Sequence, residues 1–214
     1  MKDIIRPGLI LMAYGLIAGL ALGLVNSATA PKIAAQEEAA RMAAIEEVMP
    51  DAVLFTEDSA GSVDYLVGYQ DSAKTNVAGY VITAYGNGFS STIRTVVGIN
   101  KDFTVEAIEI VCQSETPGLG TKAIEQDDPL KEPWFERQFD GLSPTQLKVD
   151  KDGGQLKSIT GATITSRAIA RSVANAAKKL ETAIKAKSPT PTDTIHSIMP
   201  AANDSPITEE GGVE

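Results

Sequence analysis

The sequence predicts an α+β protein: an N-terminal transmembrane helix, a stalk helix, an antiparallel sheet packed with helices, and an acidic disordered C-terminal tail. Three observations carry this. No charge occurs between Pro7 and Pro31, and Gly8 to Asn26 is a 19-residue run rich in Leu, Ile, Ala and Gly. Val53 to Gln113 contains several β-branched, apolar segments separated by turn signals. From Thr163 to about Lys187 the apolar residues recur at helical spacing.

In chain order, residues 1–7 are a short polar leader with Lys2 and Arg6. At 1.5 Å per residue, segment 8–26 reaches roughly 29 Å, one hydrocarbon thickness. The alternative, a secretory signal with Ala28-Thr29-Ala30 as cleavage site, ordinarily has a shorter apolar core. Gly15, Gly19 and Gly23 share one helix face, a spacing that lets a second membrane helix approach, although glycine is also simply common in such helices. Lys2 and Arg6 before the span favour an N-terminus inside and a domain outside. Segment 27–50 reads as a stalk helix with Ile33, Ala40, Ala44 and Val48 on one face and Pro50 ending it.

The main domain, 51–187, opens with strands at Val63–Tyr69, Gly79–Tyr85, Thr92–Ile99 and Thr104–Val111. Gly86-Asn87-Gly88 and Asn100-Lys101-Asp102 are the turns between the later ones, so the strands form an antiparallel meander with helices over it. The glycines at 86 and 88 lack the third glycine and the following helix of a dinucleotide fingerprint. Trp134, Phe135 and Phe139 read as a satellite core cluster, and Leu147, Val149 and Leu156 as a last hairpin. The final helix shows a stripe of Ile164, Ala168, Arg171, Val173, Ala176, Ala177, Leu180 and Ile184, with lysines towards its C-terminal end. Residues 188–214 hold four prolines, five acidic residues and no Lys or Arg, without periodicity, and read as a disordered tail.

Composition narrows the chemistry. The formal net charge is −9, with 28 acidic and 19 basic residues, the reverse of a nucleic-acid binder. Cys112 is the only cysteine and His196, in the tail, the only histidine. Disulfides within the chain, Cys-Cys redox pairs, cysteine-rich metal sites and Ser-His-Asp catalysis are thereby excluded, and no catalytic or metal residue is assigned. Redox chemistry in this chain requires a borrowed cofactor.

Two segments point to a binding site. Ser158 to Arg167 joins the Gly153-Gly154 turn to the final helix and crowds hydroxyls and small residues at the helix entrance. It is either a set of helix caps or a phosphate site, since free N–H groups and the positive end of the helix dipole face any anion placed there. Ser114-Glu115-Thr116-Pro117-Gly118-Leu119-Gly120 is a glycine-bounded loop. Such a loop is either scaffolding or brings backbone N–H groups and Leu119 close to a flat ring.

Thr160-Gly161-Ala162-Thr163, with Thr165-Ser166, resembles the flavinylation motif of FMN-binding domains, and Glu115 to Gly120 resembles the E-T-P-G-L-G loop of the same family. These domains occur in the G subunit of the Rnf electron-transport complex and in the C subunit of the Na+-translocating NADH:quinone reductase. The resemblance covers roughly residues 5–187 and implies one FMN carried covalently, as a phosphoester on Thr163. It implies Thr160, Gly161, Ala162 and Thr165 around the phosphate, and Glu115, Thr116, Gly118 and Leu119 around the flavin. Glu115 either caps a backbone nest or touches the flavin edge. The family often has Asp six residues before the modified Thr, where this chain has Lys157.

The same resemblance implies a membrane-anchored electron relay in an Rnf-type complex that passes electrons from ferredoxin to NAD+ and moves Na+ or H+. Its partners would be the other subunits and, during maturation, a flavin transferase. Two alternatives stand beside it: the matching subunit of the quinone reductase, and a membrane-anchored binding domain without flavin in which Thr163 is only a cap.

Overall fold

The computed structural model describes residues 2–125 and 133–187. The expected disordered tail, His196, and most of the acidic stretch before Trp134 lie outside these residues. The chain runs through helix α1 (Lys2–Val48), strands β1 (Leu54–Ala60), β2 (Val63–Tyr69), β3 (Val77–Asn87), β4 (Thr92–Asn100) and β5 (Val105–Cys112), then helix α2 (Thr163–Lys187).

The expected span and stalk form one continuous helix, with Pro7 and Pro31 inside it. Each proline removes one rung of the ladder, and the remaining rungs carry the helix across. Leu9, Leu11, Leu16 and Leu22 are all more than half exposed, in a stretch of mean hydropathy 2.2. By length and composition this part is able to cross a membrane. Only the last turns are buried in the domain. Ala44, Ile45, Val48 and Met49 pack with Val81 and Val96. Gly98 makes this docking possible, because a Cβ there would collide with the Val48 carbonyl oxygen.

The five strands form an antiparallel meander in the order β1-β2-β3-β4-β5. α1 covers one face with this small cluster. α2 covers the other, where Ile82, Val97, Ile99, Ile108, Ile169, Val173, Ala177 and Leu180 form the main core. β4 is therefore covered on both sides, and five successive residues, Thr95 to Ile99, are buried.

Three sequence expectations are corrected. Phe135 and Phe139 are fully buried in the main core rather than in a satellite cluster, and Trp134 packs partly buried against it; edge-on ring contacts at 5.7 and 5.6 Å link the three. Leu147 to Leu156 is no hairpin. Val149 and Leu156 form a single parallel bridge around a 3-10 turn at Asp150–Asp152, because Gly153, at φ +76°, turns the chain back on itself. Ile164 and Arg171 do not belong to the buried stripe of α2: both are exposed, and Thr165, Ser166, Ile169 and Ala170 take the inward face of the first turns.

Candidate functional site: a helix entrance and two loops tied by one glutamate

Thr163 is the first residue of α2, and no acidic residue lies in the first turn. Of the two readings of this segment, side-chain caps or a phosphate site, no side-chain cap on the helix start is present among the described residues. The backbone N–H groups of Thr163, Ile164 and Thr165 have no protein acceptor there. Ser166 works backwards instead. Its hydroxyl accepts the Ile159 N–H and donates to the Ala162 carbonyl, both at 3.0 Å, fixing the approach to the helix. Gly161 sits at φ +80°, a left-handed conformation suited to glycine, and a Cβ there would lie 3.0 Å from Leu119 Cδ2. The two segments singled out in the sequence therefore touch directly.

Glu115 holds them together. Its side chain is 5% exposed and takes five hydrogen bonds. The backbone N–H groups of Phe89, Ser90 and Ser91 donate at 3.0, 3.0 and 2.9 Å, and the Ser91 hydroxyl at 3.0 Å. The Thr165 hydroxyl donates at 2.6 Å. Burial pushes this carboxyl up, but the bonds from Thr165, Ser90, Phe89 and Ser91 outweigh burial and bring it down to about 2, so it is an anion at neutral pH. Glycines on both sides make room for it. A Cβ on Gly88 would lie 2.5 Å from Glu115 Oε1, and one on Gly120 would lie 2.6 Å from Glu115 Cβ. Of the two roles open to Glu115 in the sequence, the backbone nest is thus filled by the β3–β4 turn.

Other expected site residues fall nearby. Thr116 is exposed, with its hydroxyl 3.5 Å from that of Ser90. Gly118, at φ +71°, donates its N–H to the Thr121 hydroxyl at 2.9 Å. Ala162 is buried and Thr160 is exposed. Thr165 is 2% exposed, and its hydroxyl proton is directed to Glu115 rather than to the mouth of the site. The Thr163 side chain is half-buried and has no hydrogen bond among the described residues.

The sequence reading placed the β3–β4 turn but missed the role of Phe89, Ser90 and Ser91 in it. Its signal was present: Gly86-Asn87-Gly88 marks a tight turn, and successive N–H groups in such a turn form an anion nest. Phe89 is 70% exposed, Ile164 51% and Leu119 41%. Three apolar side chains thus stand out from three segments that Glu115 and Gly161 bring together.

An FMN fits this surface. The unpaired N–H groups and the positive helix end suit a phosphate, the free Thr163 hydroxyl suits an ester, and the exposed apolar side chains suit a flat ring.

Known proteins resemble this chain along most of its length. Residues 88–178 match the family model of the FMN-binding domain, and residues 1–48 match that of the RnfG N-terminal region. The G subunit of the ion-translocating oxidoreductase complex of Shewanella amazonensis is 30% identical over 80% of this chain and 86% of its own length. The corresponding protein of Pseudoalteromonas atlantica is 32% identical over 83% and 88%, and that of Methanosarcina acetivorans 29% over 78% and 89%. Among solved structures, the C subunit of the Na(+)-translocating NADH-quinone reductase of Parabacteroides distasonis aligns with a TM-score of 0.38 and 21% identity, over 53% of this chain and 59% of that one. On the two family models and the relatives of 30% identity or more, this chain belongs to the family of G subunits of ion-translocating oxidoreductase complexes and is an FMN-binding, electron-transport protein of RnfG type.

Proposed function

We propose that the chain carries one FMN, esterified through its phosphate to Thr163, and relays electrons within an Rnf-type complex that couples ferredoxin:NAD+ electron transfer to Na+ or H+ movement. The observation that carries the attachment site is Thr163 itself. Its unbonded hydroxyl opens a helix whose first three N–H groups have no protein acceptor among the described residues. The phosphodiester keeps its negative charge beside these groups. Gly161 and Ala162 let the phosphate approach the backbone, and Thr160 is exposed beside it as a further donor. Leu119, with Phe89 and Ile164, would cover the flavin ring, and Thr116 and Gly118 border it. Glu115 and Thr165 act behind this surface by holding its parts in register.

The bound flavin supplies one- and two-electron chemistry. The chain supplies attachment, position and shielding from water, and no turnover of its own. Residues 8–26 would cross the membrane with the N-terminus inside, 27–50 form the stalk, and 51–187 form the flavin domain on the outer face. There a covalent bond keeps the flavin at high effective concentration near its partners. A flavin transferase would install it, meeting Lys157 where the family often has Asp.

The test is direct. Protein made alongside a flavin transferase should give a fluorescent band on a denaturing gel and an intact mass one FMN residue above the polypeptide. Thr163→Val should lose both completely while keeping its melting temperature. A fluorescent Thr163→Val protein would move the attachment site elsewhere, and a colourless wild type would end the covalent reading.

A further inference from the structure

The sheet has an open edge in its middle. The β2–β3 ladder runs only from Leu66↔Val81 to Tyr69↔Val77. β2 remains paired with β1 as far as Ala60↔Val63, and β3 with β4 as far as Asn87↔Thr92. The β1–β2 hairpin therefore splays away, leaving β3 from Ile82 to Asn87 without a strand on that side.

The outward-facing groups of this edge follow from the register. The Gly88 N–H bonds the Ser91 carbonyl across the turn at 2.8 Å, and the β3–β4 register is unbroken from Gly79↔Asn100 to Asn87↔Thr92. Strand residues alternate between their two neighbours. Even-numbered residues of β3 thus bond to β4, and Thr83 and Tyr85 turn their N–H and C=O groups outward. Those groups have no backbone acceptor or donor on that side among the described residues.

They face a cavity of about 1060 Å3 bounded by the splayed hairpin, α1 and α2. Its walls combine apolar groups, Leu66, Ile82 and Ala176, with a carboxylate-rich rim. Glu38 is paired with Arg41, and Asp58 with Lys187. Glu57 and Asp64 have no partner among the described residues, and Lys179 is the one lining cation left unpaired there. Tyr85, 66% exposed, stands at the mouth.

We propose that this edge is a docking groove for an extended segment of another subunit, which adds to β3 as a strand and brings a Lys or Arg to Glu57 and Asp64. Unpaired strand edges recruit extended chains through main-chain bonds, and side-chain pockets set the choice. Six residues, about 20 Å of extended chain, match the open edge. The acidic rim selects a basic segment and disfavours this chain's own tail, which has five acidic residues and no Lys or Arg. The groove also has a functional position. β3 leads directly into the Phe89–Ser91 turn that Glu115 grips, so a docked partner lies one turn from the candidate flavin surface. That the partner belongs to the same complex rests on the family reading above.

The experiment uses the intact membrane complex. A photo-crosslinking phenylalanine analogue at Tyr85, with the same group at exposed Val53 as control, should capture a basic extended segment of another subunit from position 85 only. Capture of residues 188–214, of a second copy of this chain, or of nothing overturns the proposal. Tyr85→Pro removes an outward N–H without touching the β3–β4 ladder, and should lower recovery of the partner protein at least tenfold while the in-gel flavin band persists. If Tyr85→Pro also loses that band, Asp64→Lys at the exposed rim decides instead, with a several-fold, salt-dependent loss expected. Full recovery with Asp64→Lys overturns the groove. Flavin fluorescence reports separately on the cofactor reading, so failure of one is distinguishable from failure of the other.

Discussion

Two glutamates shielded from solvent, Glu136 the more deeply set, reach opposite charge states within one domain. Glu115 is 5% exposed and Glu136 4%. Glu115 meets five donors from the β3–β4 turn and the start of α2. Glu136 meets one backbone donor, the Ile110 N–H at 2.9 Å. Burial drives Glu136 well above the usual carboxylate range, and the neighbouring charge of Glu109 drives it further; Glu109 is raised too, by burial and by Glu47 on α1. The Glu109–Glu136 pair therefore holds a proton at neutral pH, and Glu115 does not. Depth of burial, neighbouring charge and the number of donors aimed at it together set the charge of a carboxyl group.

This contrast is open to three tests. The largest effect belongs to Glu115→Ala. Removing the anion leaves buried donors from two segments unpaired, and stability in denaturant titration should fall by about 3 kcal/mol or more. Glu115→Gln, which keeps an acceptor oxygen, should lose roughly half as much. Equal, negligible losses would show that the turn and the helix are held by other contacts.

Glu136→Gln comes next. A carboxyl raised in the folded state binds a proton that the unfolded chain has released, so wild-type stability falls as pH rises above the unfolded value. The decline should be visible from about pH 5 to about pH 8 in melting curves. Glu136→Gln should flatten it, with a gain of about 1 kcal/mol at the upper end. Glu115 has the opposite sign. Its contribution is full above the unfolded carboxylate value and disappears only as pH falls towards about 2. A wild-type curve that rises between pH 5 and 8 would reverse the assignment of the Glu136 proton.

The smallest effect belongs to a third acidic residue, Asp152. It receives Arg167 Nε and an Arg167 terminal nitrogen, both at 2.7 Å, and joins the 3-10 turn to α2. This pair lies in water, where solvent and salt screen it. Asp152→Asn should lower the melting temperature by about 2 °C or less, and high salt should erase the difference.

Much of the fold is legible along the chain because it depends on local pattern. The charge-free run to Pro31 needs only a membrane-length count. Strands β2 to β5 announce themselves by β-branched residues between turns, and α2 by its period. The misplaced elements are those whose answer lies across space. Ile164 has the right residue type for the core but sits on the outward side of the first turn. Leu147 to Leu156 alternates like a hairpin until a left-handed glycine redirects it. At the site, Thr163 and the Glu115–Gly120 loop were visible as words. Phe89, Ser90 and Ser91 were not, since the turn signal at Gly86 to Gly88 gives the bend but not the distant carboxylate its N–H groups bind.

The sequence alone determined the long apolar segment, the sheet, the final helix and the hydroxyl that opens it, because each follows from residue types at fixed short spacing. Tertiary structure decided that Glu115, 26 residues from Phe89 and 50 from Thr165, binds both and stays ionised. It also decided that β3 keeps a free edge beside that site. Charge state and strand pairing depend on which groups folding brings within hydrogen-bond reach, and no local spacing encodes that.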